Sequence, residues 1–551
     1  MNPFSRATVW DLGQKRHDLL IIGGGATGAG IAREAALRGL SVALAERGDF
    51  ASGTSSRSSR LIHGGLRYLE QRAWHRVRES LAERKILLRT APHLVRPMEF
   101  LFPVFRGDRV SRLKLAAGMA LYDLFALGGN VRAHRSLGKR ALLDLEPLLR
   151  ERGLTGGAMY WDAQCDDARL TLATARSAAV AGAALVNYME VIELNVMAGR
   201  VAGAVVRDTL TGAGARIEAR LVINATGPWC DRIRRLEDPN APPVLRPTRG
   251  SHVMVPRAKV GHHHAITFLS PLDGRVMFVL PWGDRTYIGT TDTDTEESPE
   301  QVEPTEPDVQ YLLRSLNALF PSAHLAPEDV TASWAGLRPL IAADPTLGAS
   351  EVSREHRILR GSGGMLSVAG GKLTTYRRMA VEVVDEATAI LSSTGAPRRP
   401  TRSRTATEPL PGGKDFPLVQ ALRLGAEFGL SEHTSEHLLR LYGSEMPDVA
   451  RLITANRALA GPVHPGHPAI GAQVVHAVRR EFARRLDDVM TRRIHLRYET
   501  NDQGREAADG VAGLMATELQ WSESRRSEEV DRYLREIGGK AGEGAAEPAR
   551  P

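Results

Sequence analysis

The first clear pattern of apolar and polar positions lies over residues 18–50, near the start of the chain. The apolar run DLLII is followed by the glycine-rich GGGATG, then by AGIAREAALRG, and finally by SVALAE. These segments are typical of a buried strand, a tight turn, a helix and a second strand. The pattern therefore predicts a βαβ unit at the beginning of the fold.

Further apolar segments bounded by turn residues follow, and most are rich in β-branched residues. They are YMEVIEL, RVAGAVV, ARLVINATG, SHVMV and GRVMFVLPWGDRTYIGTT. Helical stretches lie between them, notably over residues 74–88 and 169–181. Interleaved strands and helices predict an α/β or α+β body that extends over residues 1–392.

The pattern changes after that body. Residues 393–413 combine proline, glycine and arginine with little apolar content, which is typical of a linker. Apolar positions in GAQVVHAVRREFARRLDDVMTRR then recur at helical spacing, so we expect a long amphipathic helix within an all-helical C-terminal domain, residues 414–525. The remainder, 526–551, ends in low-complexity sequence and is predicted to be disordered.

Composition narrows the class of protein. Of the 551 residues, 42% are hydrophobic and 25% charged, as in soluble globular proteins. The net charge of +8 favours anionic partners such as phosphorylated metabolites, acidic lipid headgroups or nucleic acid. Two distant cysteines, Cys165 and Cys230, support neither a disulfide framework nor a zinc site, and they fit a reducing cytoplasm. The beginning of the chain has no run typical of a secretory signal, and no segment is long and apolar enough to cross a bilayer.

A dinucleotide site is predicted at the first glycine turn. Gly23, Gly25 and Gly28 form a GxGxxG motif between the first strand and the helix, and Glu46 closes the next strand 18 residues later. Glycines let the backbone approach a pyrophosphate, the helix N-terminus offers free N–H groups, and a carboxylate accepts from a ribose hydroxyl. A later strand that ends in ATG, residues 225–227, resembles the segment that returns to the nucleotide in two-domain FAD proteins.

The chain carries no second GxGxxG after a strand for a nicotinamide cofactor. We therefore expect FAD without NAD(P)H. The organic substrate would then reduce the flavin directly, and another acceptor would reoxidise it.

A more specific resemblance begins just after Glu46, with RGDFASGTSSRSSRLIHGGLRYLE. Together with IIGGGATGAGIAREAALRG, NATGPW, RGSH, PWGDRTYIGTTDTD, WAGLRPL and AGGKLTTYRRMA, it resembles the FAD-dependent glycerol-3-phosphate dehydrogenase family over most of residues 18–380. Glu34 and Arg60, where the family more often has Asp and Lys, keep the charge. The resemblance implies a two-domain FAD-binding Rossmann-like fold with an antiparallel-sheet substrate domain. It also implies oxidation of sn-glycerol 3-phosphate to dihydroxyacetone phosphate, with a membrane quinone as electron acceptor.

The same resemblance implies the site residues. It places FAD against the glycine turn, the hydroxyl-rich segment after the second strand and two later turns: Gly23, Gly25, Ala26, Thr27, Gly28, Glu46, Arg47, Ser52, Thr54, Ser55, Ser56, Gly227, Gly371, Leu373 and Thr374. It places the substrate phosphate near three cations and a phenol: Arg67, Tyr68, Arg338 and Lys372. Arg338 suits a clamp that also polarises the C2 oxygen. His63 and His252 are both candidates for the base, since histidine accepts protons near neutral pH.

Alternatives remain open for the acceptor and the class of protein. A glycerol-3-phosphate oxidase that uses oxygen shares these motifs. A basic FAD-dependent tRNA-modifying protein is less favoured, because the arginines are scattered and RRPTRSR has no interleaved aromatic residues, so no nucleic-acid partner is expected. A third alternative is a non-catalytic flavoprotein, but it would leave the convergence of Arg67, Arg338 and Lys372 without a function. A homodimer is one option for the oligomeric state.

Location and metal content complete the expectations. A lipid-dissolved quinone would place the enzyme at the inner face of the cytoplasmic membrane, as a cytoplasmic peripheral protein. The candidate contact is Arg109, Arg112 and Lys114 with the apolar stretch up to residue 127, which attracts an anionic membrane surface. Neither the three consecutive histidines 262–264 nor the acidic pair at 292 and 294 matches a metal-binding pattern, so no metal is expected.

Overall fold

The computed structural model describes residues 4, 12–70, 72–126, 128–342, 355–393 and 401–538. Its contacts separate the chain into two compact units, Met1–Asp415 and Phe416–Pro551. The first unit contains both β-sheets, and the described part of the second is built from helices. The predicted site residues all belong to the first unit.

The strands of the first unit are named in chain order. They are β1 His17–Ile22, β2 Val42–Ala45, β3 Leu61–Ile62, β4 Val95–Phe105, β5 Arg135–Gly138, β6 Leu154–Cys165, β7 Ala184–Val186, β8 Met189–Met197, β9 Arg200–Asp208, β10 Gly214–Asn224, β11 Leu245–Pro256, β12 Ala265–Leu269, β13 Val276–Trp282, β14 Arg285–Gly289, β15 Thr293–Asp294, β16 Ala332–Ile341, β17 His356–Arg360 and β18 Leu366–Gly370.

The α-helices of both units follow the same convention. They are α1 Ala26–Leu37, α2 Arg67–Glu70, α3 Trp74–Thr90, α4 Arg112–Phe125, α5 Lys139–Leu145, α6 Asp167–Val180, α7 Cys230–Glu237, α8 Arg257–Val260, α9 Glu306–Leu319, α10 Tyr376–Ser393, α11 Leu418–Glu427, α12 Glu432–Tyr442, α13 Met446–Ala455, α14 Gly471–Arg480, α15 Leu496–Glu499, α16 Ala508–Leu519 and α17 Glu523–Gly538. Among these described helices, none has a stretch both long and apolar enough to cross a bilayer.

The first sheet carries the predicted βαβ unit. Its strands run in the order β17-β18-β10-β1-β2-β7, with β9 joined to β10 and β8 to β9. The pairs from β18 to β7 are parallel, and α1 packs against α6 and α10 beside them. Parallel sheets are covered on both faces, which explains the apolar run over residues 19–22 of β1.

The second sheet is antiparallel except where β12 meets β4. Its order is β15-β11-β14-β13-β12-β4-β6-β3, with β16 joined to β11 and β5 to β6. Apolar side chains of β11, β13 and β14 pack with α9 to form its core. The pairing of β11 with β16 places His252 opposite Trp334 and Thr248 opposite Arg338. The predicted combination of a Rossmann-like sheet, an antiparallel sheet and a helical C-terminal part is confirmed.

The predicted linker is packed over its described residues, 401–413. The Thr405 hydroxyl donates to Oε2 of Glu34 at 2.5 Å, and the carbonyl of Glu408 accepts from Nη2 of Arg33 at 2.6 Å. The Leu410 N–H donates to the carbonyl of Thr90 at 2.8 Å. These contacts place residues 401–413 in the first unit, whereas residues 394–400 lie outside the described part.

Two predictions for the second unit are wrong. The expected long helix ends as α14 at Arg480, and the chain resumes with a π-helical turn at Asp488–Arg493. Buried Arg493 donates to the carbonyl of Glu481 at 2.6 Å, and Phe482 takes a left-handed backbone with φ 60°, which interrupts the helix. The predicted disordered tail is helical through α17, where buried Tyr533 anchors it to the core; residues 539–551 lie outside the described part.

Candidate active site

The glycine turn has the geometry of a pyrophosphate cradle. Gly23 adopts φ 105°, and a side chain on Gly28 would overlap the carbonyl oxygen of Gly23. Gly25 precedes the first turn of α1, and a Cβ there would come within 3.0 Å of the Ser55 hydroxyl. The same hydroxyl accepts from the Ala26 N–H at 2.9 Å. The turn is thus closed from behind and open toward a ligand at the helix N-terminus.

Glu46 braces this turn. Its carboxylate accepts from the Gly24 N–H at 2.6 Å and from the Gly48 N–H at 2.7 Å. Burial raises the pKa of Glu46, and the two N–H donors oppose that change. Since each carboxylate oxygen has a second lone pair, the residue can still accept from a ribose hydroxyl. The neighbouring Arg47 pairs with Glu300 at 2.8 Å.

The hydroxyl-rich segment after β2 is held at several points. The Thr54 hydroxyl donates to the carbonyl of Leu337 at 2.7 Å. Both the N–H and the hydroxyl of Ser58 donate to Oδ2 of buried Asp167, at 3.0 and 2.7 Å. These bonds fix the segment along the cavity wall.

One cavity of about 700 Å³ collects most of the predicted residues. The expected FAD-binding residues on its wall are Gly23, Gly25, Ala26, Thr27, Glu46, Arg47, Ser52, Thr54, Ser55, Gly227, Gly371, Leu373 and Thr374. The expected substrate and catalytic residues on its wall are His63, Tyr68, His252, Arg338 and Lys372. Gly28 and Ser56 are absent from the wall residues, and the side chain of Arg67, at the start of α2, lies outside the described part.

Arg338 is fixed against the second sheet. A Cβ on Gly250 would lie 2.6 Å from Cζ of Arg338, so only glycine leaves room for the guanidinium there. Nη1 pairs with Asp292 at 3.0 Å, and Nη2 donates to the Thr290 hydroxyl at 2.9 Å. The sequence motif located Arg338 but did not reveal its carboxylate partner. The pairing lowers the net charge at the clamp while holding the guanidinium in one orientation.

His252 lies deep in the wall and stays neutral. Its ring stacks on Trp334 with centroids 5.0 Å apart, and Nε2 lies 2.9 Å from the Ser59 hydroxyl. Burial, together with the nearby guanidinium groups of Arg338 and Arg60, holds the pKa of His252 well below its ordinary value. A neutral imidazole in this position can accept a hydrogen bond.

His63 is the more accessible histidine. It is half-buried in the cavity wall, with its ring centroid 6.3 Å from that of Phe278. The adjacent Gly64 N–H donates to Oδ1 of Asp162 at 3.1 Å and to the Tyr122 hydroxyl at 2.9 Å. These two bonds fix the loop that carries His63.

Lys372 and Tyr68 meet across the cavity. The ammonium of Lys372 lies 3.9 Å from the centroid of the Tyr68 ring, a cation–π geometry. Gly65, with φ 76°, leaves the space that this ring occupies, because a side chain there would collide with it. The two residues come from distant segments, as the resemblance implied.

Sequence reasoning missed the supporting contacts that Arg60 and Arg84 make behind this wall. Arg60 lies between Trp282 and Trp334, with its guanidinium carbon 4.4 and 4.9 Å from the two ring centroids. Buried Arg84 pairs with Asp162 behind the loop of His63. Trp282 and Trp334 both belong to motifs that carry the family resemblance, and that was the available signal in the sequence. The contact of both rings with the same guanidinium, that of Arg60, is visible only in the folded chain.

The remaining candidate clusters have structural partners. The His262 ring contacts the Thr286 hydroxyl at 2.6 Å, and the His264 ring contacts Glu146 at 2.8 Å. The two acidic residues Asp292 and Asp294 pair with different arginines, Arg338 and Arg246. They do not converge on a common point.

Matches to known protein families cover most of the chain. Residues 18–377 match a family model described as FAD dependent oxidoreductase, and residues 403–526 match the C-terminal domain of alpha-glycerophosphate oxidase. Glycerol-3-phosphate dehydrogenase 2 of Mycobacterium tuberculosis is 38% identical over 541 residues, which cover 98% of this chain and 91% of that protein.

Two further relatives carry the same enzyme name. The mitochondrial glycerol-3-phosphate dehydrogenase of Rattus norvegicus is 36% identical over 536 residues, covering 94% of this chain and 72% of that protein. The crystal structure of glycerol-3-phosphate dehydrogenase from Bacillus halodurans, complexed with FAD, is similar with a TM-score of 0.81 and 32% identity over 98% of both chains.

The glycine cradle gives a direct test of cofactor binding. We expect Gly25→Val to purify folded but without bound flavin, because the added side chain fills the space that the pyrophosphate needs. Visible absorbance of the purified protein and its circular dichroism measure the two properties. Gly138→Val is the matched control, since a Cβ at Gly138 meets nothing within 4 Å. A folded Gly25→Val protein that stays yellow would contradict the assignment.

Proposed function

The chain belongs to the family of FAD-dependent glycerol-3-phosphate dehydrogenases and oxidases, and from this premise we propose that it oxidises sn-glycerol 3-phosphate and passes the electrons to a membrane quinone. The family makes it an FAD-dependent oxidoreductase. The observation that carries the proposal is the convergence of Arg338, Lys372 and Tyr68 on the cavity that also contains the glycine cradle.

The described residues fit FAD. A cradle without Cβ atoms, a helix N-terminus and the Glu46 carboxylate lie together on one wall. When bound, FAD supplies an acceptor for the hydride from C2 of the substrate. Gly23, Gly25 and Ser55 would surround its pyrophosphate.

Substrate binding falls to cations that line the same cavity. A phosphate dianion fits beside the Lys372 ammonium, which is stabilised by the Tyr68 ring. Arg338 offers a fixed guanidinium face for the C2 oxygen, because Asp292 and Thr290 prevent it from turning away. Arg67 remains a further candidate for the phosphate. Fixed donors of this kind hold C2 in position for transfer.

The geometry favours His63 as the residue that removes the C2 hydroxyl proton. His63 is half-buried on the cavity wall, whereas His252 is buried and its Nε2 contacts Ser59. The depressed pKa of His252 also makes it a weak proton acceptor. We assign His252 to a hydrogen bond that orients the substrate oxygen or its neighbours.

Membrane contact is proposed through α4. Leu113 and Leu124 on this helix are 83% and 65% exposed, and Arg112 is exposed beside them. Arg109 and Lys114 both pair with Glu70, so Arg112 offers the least compensated charge of the three. An exposed apolar stripe with basic neighbours fits an anionic bilayer surface. We propose attachment to the inner face of the cytoplasmic membrane, where a quinone is dissolved.

The alternative acceptor is oxygen, as in the oxidase branch of the family. Anaerobic reduction with glycerol 3-phosphate, followed by mixing with either a quinone or oxygen, separates the two. Fast reoxidation by quinone with little peroxide supports the proposal. Reoxidation by oxygen alone, with stoichiometric peroxide, would assign the oxidase function instead.

The phosphate clamp predicts a selective loss of activity. Lys372→Ala should lower kcat/KM for glycerol 3-phosphate by at least ~100-fold but affect unphosphorylated glycerol much less, because a charge-assisted bond to the phosphate is lost. Arg338→Ala should lower kcat/KM for both substrates, because both carry the C2 oxygen that Arg338 faces. Steady-state assays on flavin-loaded protein measure both ratios. Equal losses of Lys372→Ala on the two substrates would mean that Lys372 supports FAD or the fold.

The α4 surface predicts salt-sensitive binding to vesicles. The protein should float with vesicles that contain anionic lipid at low salt and be released as salt rises, since each exposed basic residue contributes about 1 kcal/mol near the surface. Replacing Arg109, Arg112 and Lys114 by Glu should abolish flotation, whereas the same change at exposed Arg135, Lys139 and Arg140 serves as the control. Undiminished flotation of the α4 variant would remove this surface from the proposal.

A further inference from the structure

Four charged side chains form a continuous chain of ion pairs at the part of the cavity that contains Glu46. Glu300 pairs with Arg47 at 2.8 Å and with Arg232 at 3.5 Å. Arg232 also pairs with Glu190 at 3.4 Å. The two arginines and Glu190 line the cavity, and they belong to different parts of the chain: the end of β2, α7 and β8. Glu300, from the segment between β15 and α9, is the anion that joins the two arginines.

Glu300 has a further partner on the same wall. The indole N–H of Trp229 donates to Oε1 of Glu300 at 2.8 Å, and Cζ of Arg47 lies 5.3 Å from the centroid of the indole ring. A Cβ on Gly53 would lie 3.1 Å from that ring, so the ring is packed against the hydroxyl-rich segment. Partial burial raises the pKa of Glu300, but hydrogen bonds from Ser298, Arg47 and Trp229 lower it to about 2. The carboxylate is therefore charged at neutral pH.

The segment that carries Glu300, residues 295–302, is anchored at both ends. Just before it, Arg246 donates two hydrogen bonds to the carboxylate of Asp294, at 2.9 and 2.7 Å. At its end, Val302 is buried against side chains of β16. Between these anchors most of the residues are exposed, and the side chain of Glu300 ties the segment to the cavity wall.

This chain of ion pairs lies where the ADP half of the cofactor is expected. A GxGxxG turn with an acidic residue at the end of the second strand binds the pyrophosphate and the adenosine ribose of a dinucleotide. Glu46 is that acidic residue, and Arg47 follows it directly. A single exposed ion pair contributes little to stability, but an anion shared by two guanidinium groups and an indole N–H links three elements at once.

We propose that Glu300 is a positioning residue for the cofactor: it holds Arg47, Trp229 and Arg232 together beside Glu46 and thereby slows the release of FAD. Loss of the carboxylate would leave two neighbouring guanidinium groups without their shared anion, so that this part of the wall opens more readily. The inference goes beyond the proposed function, because it concerns the retention of FAD and holds for either electron acceptor.

The rate of FAD release tests the proposal without relying on turnover. The flavin-loaded protein is diluted into buffer, and the fluorescence of the released flavin is followed. At low salt, Glu300→Gln should release FAD at least ~10-fold faster than wild type, because the ion pairs are lost while the side-chain volume is kept. Glu296→Gln, which changes an exposed glutamate of the same segment, is the matched control and should release FAD at the wild-type rate.

Salt distinguishes the loss of ion pairs from a general loosening of the fold. At about 1 M salt the Debye length falls to about 3 Å, so exposed ion pairs are largely screened. The release rate of Glu300→Gln relative to wild type should therefore fall toward one as salt rises. A ratio that keeps its low-salt value would mean that the substitution loosens the fold, and it would overturn the proposal.

Arg232→Gln provides a second variant on the other side of the same ion pair. It should also speed the release of FAD, and the double variant should be slower than the product of the two single effects, because both substitutions break one interaction. Single effects that multiply in the double variant, or release from Glu300→Gln at the wild-type rate, would overturn the proposal. If Glu300→Gln does not fold, the release rate of Arg232→Gln and its salt dependence carry the test.

Discussion

The active site depends on two places in the second sheet where a side chain is missing. Gly250 leaves the space that the Arg338 guanidinium occupies, and Gly289 leaves the space of the His252 ring. In both cases a Cβ atom would lie 2.6 Å from an atom of the neighbouring side chain, far inside van der Waals contact. Because close-packed walls cannot yield by that distance at small cost, these glycines fix where the two functional groups lie.

The register of the strands determines which side chains occupy those spaces. His252 pairs with Gly289 on one side and Trp334 on the other, so its ring is enclosed by the sheet itself. Arg338 stands opposite Thr248 and reaches diagonally over Gly250 to Asp292. A one-residue slip would turn both groups to the opposite face of the sheet. The antiparallel sheet therefore fixes the orientation of His252 and Arg338, while the parallel sheet carries the glycine cradle for the cofactor.

Local signals in the sequence were enough for the cradle, whereas most of the other residues of the cavity wall were predicted from the family resemblance. The GxGxxG turn depends on the positive φ of Gly23 and on the missing side chain of Gly28, and its strand and helix neighbours carry clear patterns. The Arg338–Asp292 pair and the stack of Arg60 between two tryptophans depend on contacts between distant segments, which no local pattern encodes. The same holds for the break after Arg480, where buried Arg493 takes a carbonyl that a continuous helix would use. Helix α17 was missed because polar residues dominate it, and its contacts to the core come from buried Tyr533 and the partly buried Val530, Leu534 and Ile537.

The most direct test of this account is the rate at which glycerol 3-phosphate bleaches the flavin of Gly250→Ala under anaerobic conditions. One added methyl group must displace the Arg338 guanidinium, and misplacement of a positioning group by about 1 Å costs ~100-fold in rate. The account predicts a variant that folds and retains FAD but bleaches at least ~100-fold more slowly than wild type. Gly214→Ala, where the new methyl meets only an ordinary contact at 3.5 Å, should behave as wild type. Bleaching of Gly250→Ala at the wild-type rate would contradict the placement of Arg338 against the substrate.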